Sequence, residues 1–199
     1  MSSSYPTPAS SVETETEIKK SRFIARVAKV TDRQTAMLLV EQAKQDNPDA
    51  RHHCWAYLLG NPASASSAAA NDAGEPSGTA GKPILNVIQH KGVGDVLVVV
   101  IRYFGGIKLG AGGLVRAYSG AAEAVMSMLP LEQAVPMQEV GLSLDFAKEQ
   151  LLRHWAEQHE ALVLNVDYGQ QVLMLLNVPD AAMNELNAFC AAQAIKHLQ

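Results

Sequence analysis

The chain has 199 residues, of which 48% are apolar and 18% charged, and its formal net charge is −4. That balance excludes a disordered chain and leaves room for one large packed domain or two small ones. No run reaches the ~18 consecutive apolar residues of a membrane span, and the Ser- and Pro-rich start has neither the basic nor the apolar region of a secretory leader.

Two cysteines, Cys54 and Cys190, without such a leader read as reduced thiols in a cytosolic protein. The charge is uneven. Residues 1–134 carry thirteen Lys/Arg against twelve Asp/Glu, whereas residues 135–199 carry three against eight. A polyanionic partner is therefore expected to meet the first part, because charge acts locally under screening.

In chain order, residues 1–11 read as a disordered tail. VETETEI at residues 12–18 alternates as a half-buried strand does, and FIARVAKV at 23–30 is a second strand. Lys19-Lys20-Ser21-Arg22 lies between them as a basic hairpin turn. Thr31 with Gln34 fits a capping box for a helix with its apolar face on Ala36, Leu39, Val40 and Ala43. That helix should end before Asn47-Pro48. Residues 54–59 read as a buried strand, and 60–82 show no periodicity.

Pro83 suits the first turn of a helix ending near Lys91, with Gly92 as its stop. Residues 95–104, DVLVVVIRYF, are apolar and β-branched enough for a central strand. A glycine-rich turn and a helix over 113–129 follow, and 131–136 reads as a linker. Beyond it come a strand at 139–145, a helix at 147–160, strands at 162–168 and 171–178, a helix at 181–192 and a stub at 195–198. That order fits a ferredoxin-like sandwich. The domains are thus expected at 12–132 and 137–199.

The most informative segment is Arg102-Tyr-Phe-Gly-Gly-Ile-Lys-Leu-Gly-Ala-Gly-Gly-Leu-Val-Arg-Ala-Tyr118, where a buried strand passes into a helix. Gly105, Gly106, Gly110, Gly112 and Gly113 permit tight turns and close backbone approach. Amides at the helix start can face an anion, with Arg102, Lys108 and Arg116 adding positive charge. Tyr103 and Phe104 offer a stacking face, though alternation sends them to opposite sides of the sheet. The competing reading is a tight strand–helix junction with core aromatics. The segment lacks the Gly-Lys-Ser/Thr ending of a P-loop and the third glycine of a dinucleotide fingerprint.

A second segment is Asn71-Asp-Ala-Gly-Glu-Pro-Ser-Gly-Thr-Ala-Gly-Lys-Pro83. Asp72 and Glu75 can serve a metal or act as bases, or can satisfy local backbone donors. Thr79 and Lys82 can hold phosphate at the following helix. In Arg51-His-His-Cys54, strand alternation places His52 and Cys54 on one face and His53 on the other. His53, Asp72 and Glu75 form the candidate acidic and polar site. No second Cys/His pair completes a zinc site, and no catalytic residue, metal or cofactor is assigned. Lys19, Lys20, Arg22, Arg26, Lys29 and Arg33 make the densest basic cluster, with Lys20 and Arg22 as candidate phosphate contacts.

Together these segments resemble the IMPACT family, in the two-domain form found in bacteria. The matching runs are Lys20-Ser-Arg-Phe-Ile24, Asp49-Ala-Arg-His-His-Cys54, Gly74-Glu-Pro-Ser-Gly-Thr-Ala-Gly-Lys-Pro83 and the stretch from Val98 through Tyr118. One departure is that the family usually has two adjacent aspartates before Gly-Glu-Pro, where this chain has Asp72-Ala73.

The resemblance implies an α+β chain. Its first domain would be of the ribosomal-protein-type βαβ kind seen in domain IV of elongation factor G. Its second would be ferredoxin-like, as in domain V of that factor. Both kinds occur in proteins that touch ribosomal RNA. The eukaryotic relatives regulate translation by competing for the activator of a kinase that phosphorylates initiation factor 2. They use an added N-terminal domain for this, so that role is not expected here. The expected function is non-enzymatic RNA or ribosome binding linked to translation. The alternatives are a nucleotide- or phosphate-binding enzyme, including a hydrolase using Asp72 and Glu75, and a protein–protein adaptor working through the acidic second domain.

Overall fold

The computed structural model describes residues 4–198. It divides into two compact units, residues 5–134 and 135–198. In chain order the first unit contains strands β1 (Tyr5–Pro8), β2 (Val12–Ile18) and β3 (Ser21–Lys29), helix α1 (Arg33–Asp46), strands β4 (His52–Leu59) and β5 (Ser67–Asn71), helix α2 (Gly81–Lys91), strand β6 (Val96–Tyr103), helix α3 (Ala111–Ser127) and strand β7 (Leu131–Ala134). The second contains β8 (Met137–Leu144), α4 (Glu149–Gln158), β9 (Leu162–Tyr168), β10 (Val172–Pro179), α5 (Met183–Gln193) and β11 (Lys196–His197). The chain is a mixed α+β protein of two domains. No helix among the described residues is long and apolar enough to cross a membrane.

The first unit is built on an antiparallel five-stranded sheet of order β2-β3-β6-β4-β5. β6 is central, as its apolar β-branched sequence requires. Strand alternation gives each face a separate core. Phe23, Ala25, Val27, Cys54, Ala56, Leu58, Val96, Val98 and Val100 point to α2 and α3. Ile24, Tyr57, Leu59, Leu97, Val99 and Ile101 point to α1. Any residue on β4 or β6 is therefore committed to one helical layer by its parity, and this places the side chains of the site.

Several expectations are corrected. Residues 5–8 are not a disordered tail, and 131–134 are not a linker, since the two segments pair as an antiparallel ribbon. Tyr5 donates to Asp95 Oδ2 at 2.8 Å, and Gly94 N donates to Pro6 O at 2.9 Å. These long-range contacts are invisible to local composition. Residues 1–3 of the expected tail lie outside the described residues. The α1 cap is Asp32 rather than Thr31: its carboxylate accepts from Thr35 N at 2.8 Å. The stretch 60–82 is not wholly irregular. Ser67–Asn71 adds an edge strand to β4 through backbone bonds, which small alanines allow without any apolar period.

In the second unit, all neighbouring strands are antiparallel and the order is β11-β8-β10-β9. With two helices between the strands, this is the ferredoxin-like arrangement. The expected last strand forms as the two-residue β11, and Leu198 N continues its pairing by donating to Gly141 O at 2.8 Å.

Candidate nucleic-acid interface

The site grows from the end of β6. Arg102 is the last residue of that strand whose side chain faces α2 and α3, opposite His52 of β4 and Phe23 of β3. It is 5% exposed. A buried guanidinium needs a partner, and Glu75 supplies one: Arg102 Nη1 donates to Glu75 Oε1 at 2.6 Å, with both side chains almost fully covered. Tyr118 of α3 donates to the same oxygen at 2.8 Å, and His52 Nε2 lies 4.0 Å from it. Burial pushes the Tyr118 hydroxyl well up, keeping it a donor.

The loop that carries Glu75 is shaped by Asp72, whose carboxylate accepts from the amides of Gly78 (2.8 Å), Ala80 (3.0 Å) and Gly81 (2.8 Å). Burial works to raise Asp72, but these three amides outweigh it and hold the carboxyl below its usual range. Cys54 donates its thiol proton to Asp72 O, and burial pushes that thiol up to about 12. A thiol that stays protonated is not a nucleophile.

Beyond Tyr103 the chain turns through residues 104–110 into α3. Gly105 is demanded by packing: a Cβ there would lie 1.9 Å from Lys20 O. Its amide donates to Ser21 Oγ at 3.2 Å. α3 starts at Ala111 with no side-chain cap and no acid in its first turn. The amide hydrogens of Ala111, Gly112 and Gly113 therefore emerge at the positive end of a seventeen-residue helix. Two cations sit there as well. Lys108 lines a cleft of about 250 Å³ with Glu75, Pro76, Arg102, Phe104, Gly110 and Ala111. Arg116 folds back so that its Nη1 is 3.7 Å from where a side chain on Gly112 would begin. Cations at a helix amino end are unfavourable by themselves, so the arrangement is poised for an anion.

One cleft thus gathers Glu75, Arg102, Lys108 and Gly110, while Gly112, Gly113 and Arg116 lie on the first turns of α3 outside its lining. Gly106, at φ +85°, forms part of the connecting turn. Lys20 belongs to the hairpin turn packed on Gly105, and both turn residues, Lys19 and Lys20, have positive φ. Other expected residues are elsewhere. Arg22 is paired with Glu15 at 2.8 Å, and Arg26 with Glu13 and Asp46. Antiparallel pairing brings β2's glutamates across from β3's arginines, and this takes Arg22 and Arg26 out of the basic cluster read along the chain.

Thr79 is buried, with its hydroxyl donating to Pro76 O at 2.6 Å, and the start of α2 is already filled by Asp72. Lys82 is exposed in a separate groove with Asn86, His90 and Glu123. His53 lies on the α1 side of the sheet, bonded to Asn47 O at 3.2 Å, so it never meets Glu75. His52, its neighbour, does. Tyr118 was missed as well, because only helix–sheet packing brings it to Glu75. No cluster of three or more metal-ligating side chains occurs among the described residues.

Comparison with known proteins places the chain by family and fold. Residues 19–126 match the model of the Impact N-terminal domain, and 142–191 match that of a domain of unknown function, DUF1949. The chain is 38% identical over 185 residues to the IMPACT family member YigZ of Escherichia coli K12, covering 93% of this chain and 91% of that one. It is 35% identical over 186 residues to the IMPACT family member YvyE of Bacillus subtilis 168, covering 94% and 83%. Among solved structures, one described as a hypothetical protein superposes with a TM-score of 0.80 at 36% identity, covering 100% of this chain and 98% of that chain.

Proposed function

The chain belongs to the IMPACT family, and from that premise we propose that it is a non-enzymatic RNA- or ribosome-binding protein linked to translation. The observation that carries this reading is the uncapped amino end of α3, with Lys108 and Arg116 beside it and no acid in its first turn. Three outward amides, a helix dipole and two mobile cations are what a phosphate backbone meets favourably. The family's link to translation, read from its eukaryotic relatives, and the charge asymmetry between the two domains favour RNA as the source of that phosphate.

The test is binding of the full chain to single-stranded RNA at low and at physiological salt. Affinity is expected to fall steeply with salt, and Lys108→Ala with Arg116→Ala to flatten that dependence by about one phosphate contact each. If the chain captures no RNA at low salt, the reading is wrong. A hydrolase has less support, since Asp72 is spent on three amides and Cys54 is held as a thiol.

A further inference from the structure

We infer that the outer face of the second unit's sheet is a self-complementary surface on which two copies of this chain stack as a dimer. The inference is independent of RNA binding and uses the second unit alone.

Alternation divides the sheet β11-β8-β10-β9 into two faces. One buries Val140, Leu142, Leu144, Val172, Met174 and Leu176 in a core shared with α4 and α5. The other has no helix of its own unit over it, yet leucine dominates it. Leu162, Leu164, Leu173 and Leu198 are each between 41% and 58% exposed, and Leu175 is half-buried among them. A single exposed leucine needs no explanation, but a contiguous set on one face marks an interaction surface.

The strand register shows what fits this surface. One row across the sheet reads Lys196, Ser143, Leu173, Asp167, from β11 through β8 and β10 to β9. A cation and an anion therefore stand at opposite edges of the same row. Both are exposed, and neither has an ion-pair or hydrogen-bonding partner for its side chain among the described residues. A two-fold axis along the strands, between β8 and β10, turns a second copy over so that each edge meets the opposite edge. Lys196 then lies over Asp167 of the second copy, and Asp167 over its Lys196. Between them, Leu173 lies over the small Ser143. The next row repeats the pattern, with Leu175 over Gly141, where Leu198 also packs. Stacked sheets lie ~10 Å apart, a gap that a lysine and an aspartate side chain span together.

Other occupants fit this face less well. Residues 135–199 carry three Lys/Arg against eight Asp/Glu, and on the outer face Glu139 joins Asp167. That charge disfavours a phosphate backbone or an anionic lipid surface. Strand spacing and rise give a face of roughly 400 Å² per copy, toward the small end of specific interfaces, so the dimer is expected to be weak and to depend on concentration.

The experiment is sedimentation equilibrium of the full chain across the micromolar range, where the mass is expected to rise toward that of two chains. Lys196→Glu and Asp167→Lys, both at exposed positions, set like charges face to face. Each is expected to weaken the dimer about tenfold while thermal melts stay unchanged. Mixing the two variants restores opposite charges at both contacts, so the mixture is expected to associate as the wild type does. Leu173→Asp is expected to abolish association, because it places a charge inside the interface. A chain that stays monomeric throughout the range overturns the inference. A dimer that none of these changes weakens lies on another face and overturns it too. Variants that do not recover on mixing overturn the pairing of Lys196 with Asp167. A monomeric chain whose RNA affinity falls with Leu173→Asp gives the face to RNA instead.

Discussion

Glu75 and Arg102 make the residue with the largest consequence a pair. Their side chains are 4% and 6% exposed, so removing one charge strands the other in the interior. Glu75→Gln is expected to cost about 3–5 kcal/mol in urea unfolding, the range for breaking buried pairs. Tyr118→Phe, which removes the hydroxyl with its bonds to Glu75 and Cys54, should cost about 1–2 kcal/mol. The combined change Glu75→Gln with Arg102→Met should recover much of the loss, because no unpaired charge remains. His53 supplies a pH dependence. Burial holds its imidazole below the ordinary value of 6.5, so the unfolded chain takes up the proton first. Stability from this site is present above that value and declines as pH falls through it. Unfolding free energy measured from pH 7 to pH 5 should therefore drop in the wild type and drop less in His53→Gln.

Two elements decide how the site is held. The β2–β3 turn forces Lys19 and Lys20 into left-handed backbone at φ 47° and 65°, the conformation that Asn-Gly adopts with less strain. Replacing the pair by Asn-Gly should raise thermal stability modestly while removing two cations beside the Gly105 loop, so RNA affinity should fall as the melting temperature rises. The amino end of α3 shows the same opposition. Ala111→Glu places an acid in a first turn that has none, which favours the helix but fills the anion position. Thermal stability is expected to hold or increase while phosphate binding disappears. Gly105→Ala works differently. With Lys20 O only 1.9 Å from the added carbon, the hairpin and loop must separate, and circular dichroism melts should show a marked loss.

At the scale of the molecule, the two units differ in charge and in what they present. A fragment ending after Pro136 keeps β7 against β1 and is expected to bind RNA, whereas residues 137–199 alone should not. Pull-downs at low salt with each fragment check this. Much of the architecture was legible in the chain. β6 could be read as central because its first six residues, Val96 to Ile101, have no polar side to turn outward until Arg102. The ferredoxin-like order could be read because each element carries its own period. Parity on β4 also separated His52 from His53, but not which of them met the acidic loop. That needed knowledge of which helical layer covers which face, as did the reach of Tyr118 to Glu75. The basic cluster at 19–33 misled in part for a related reason, since the charges of Arg22 and Arg26 are cancelled by glutamates that strand pairing brings across. The N-terminal segment was read as loose because its partners, Asp95 and residues 131–134, are distant in the chain. Sequence alone determined the family and the helices and strands that carry a period or a cap, because periodicity and local motifs are short-range, whereas β1, β5 and β7 formed only through pairing with distant segments. Only the tertiary structure decided which charges are free, because neutralisation and burial depend on contacts between segments far apart in the chain.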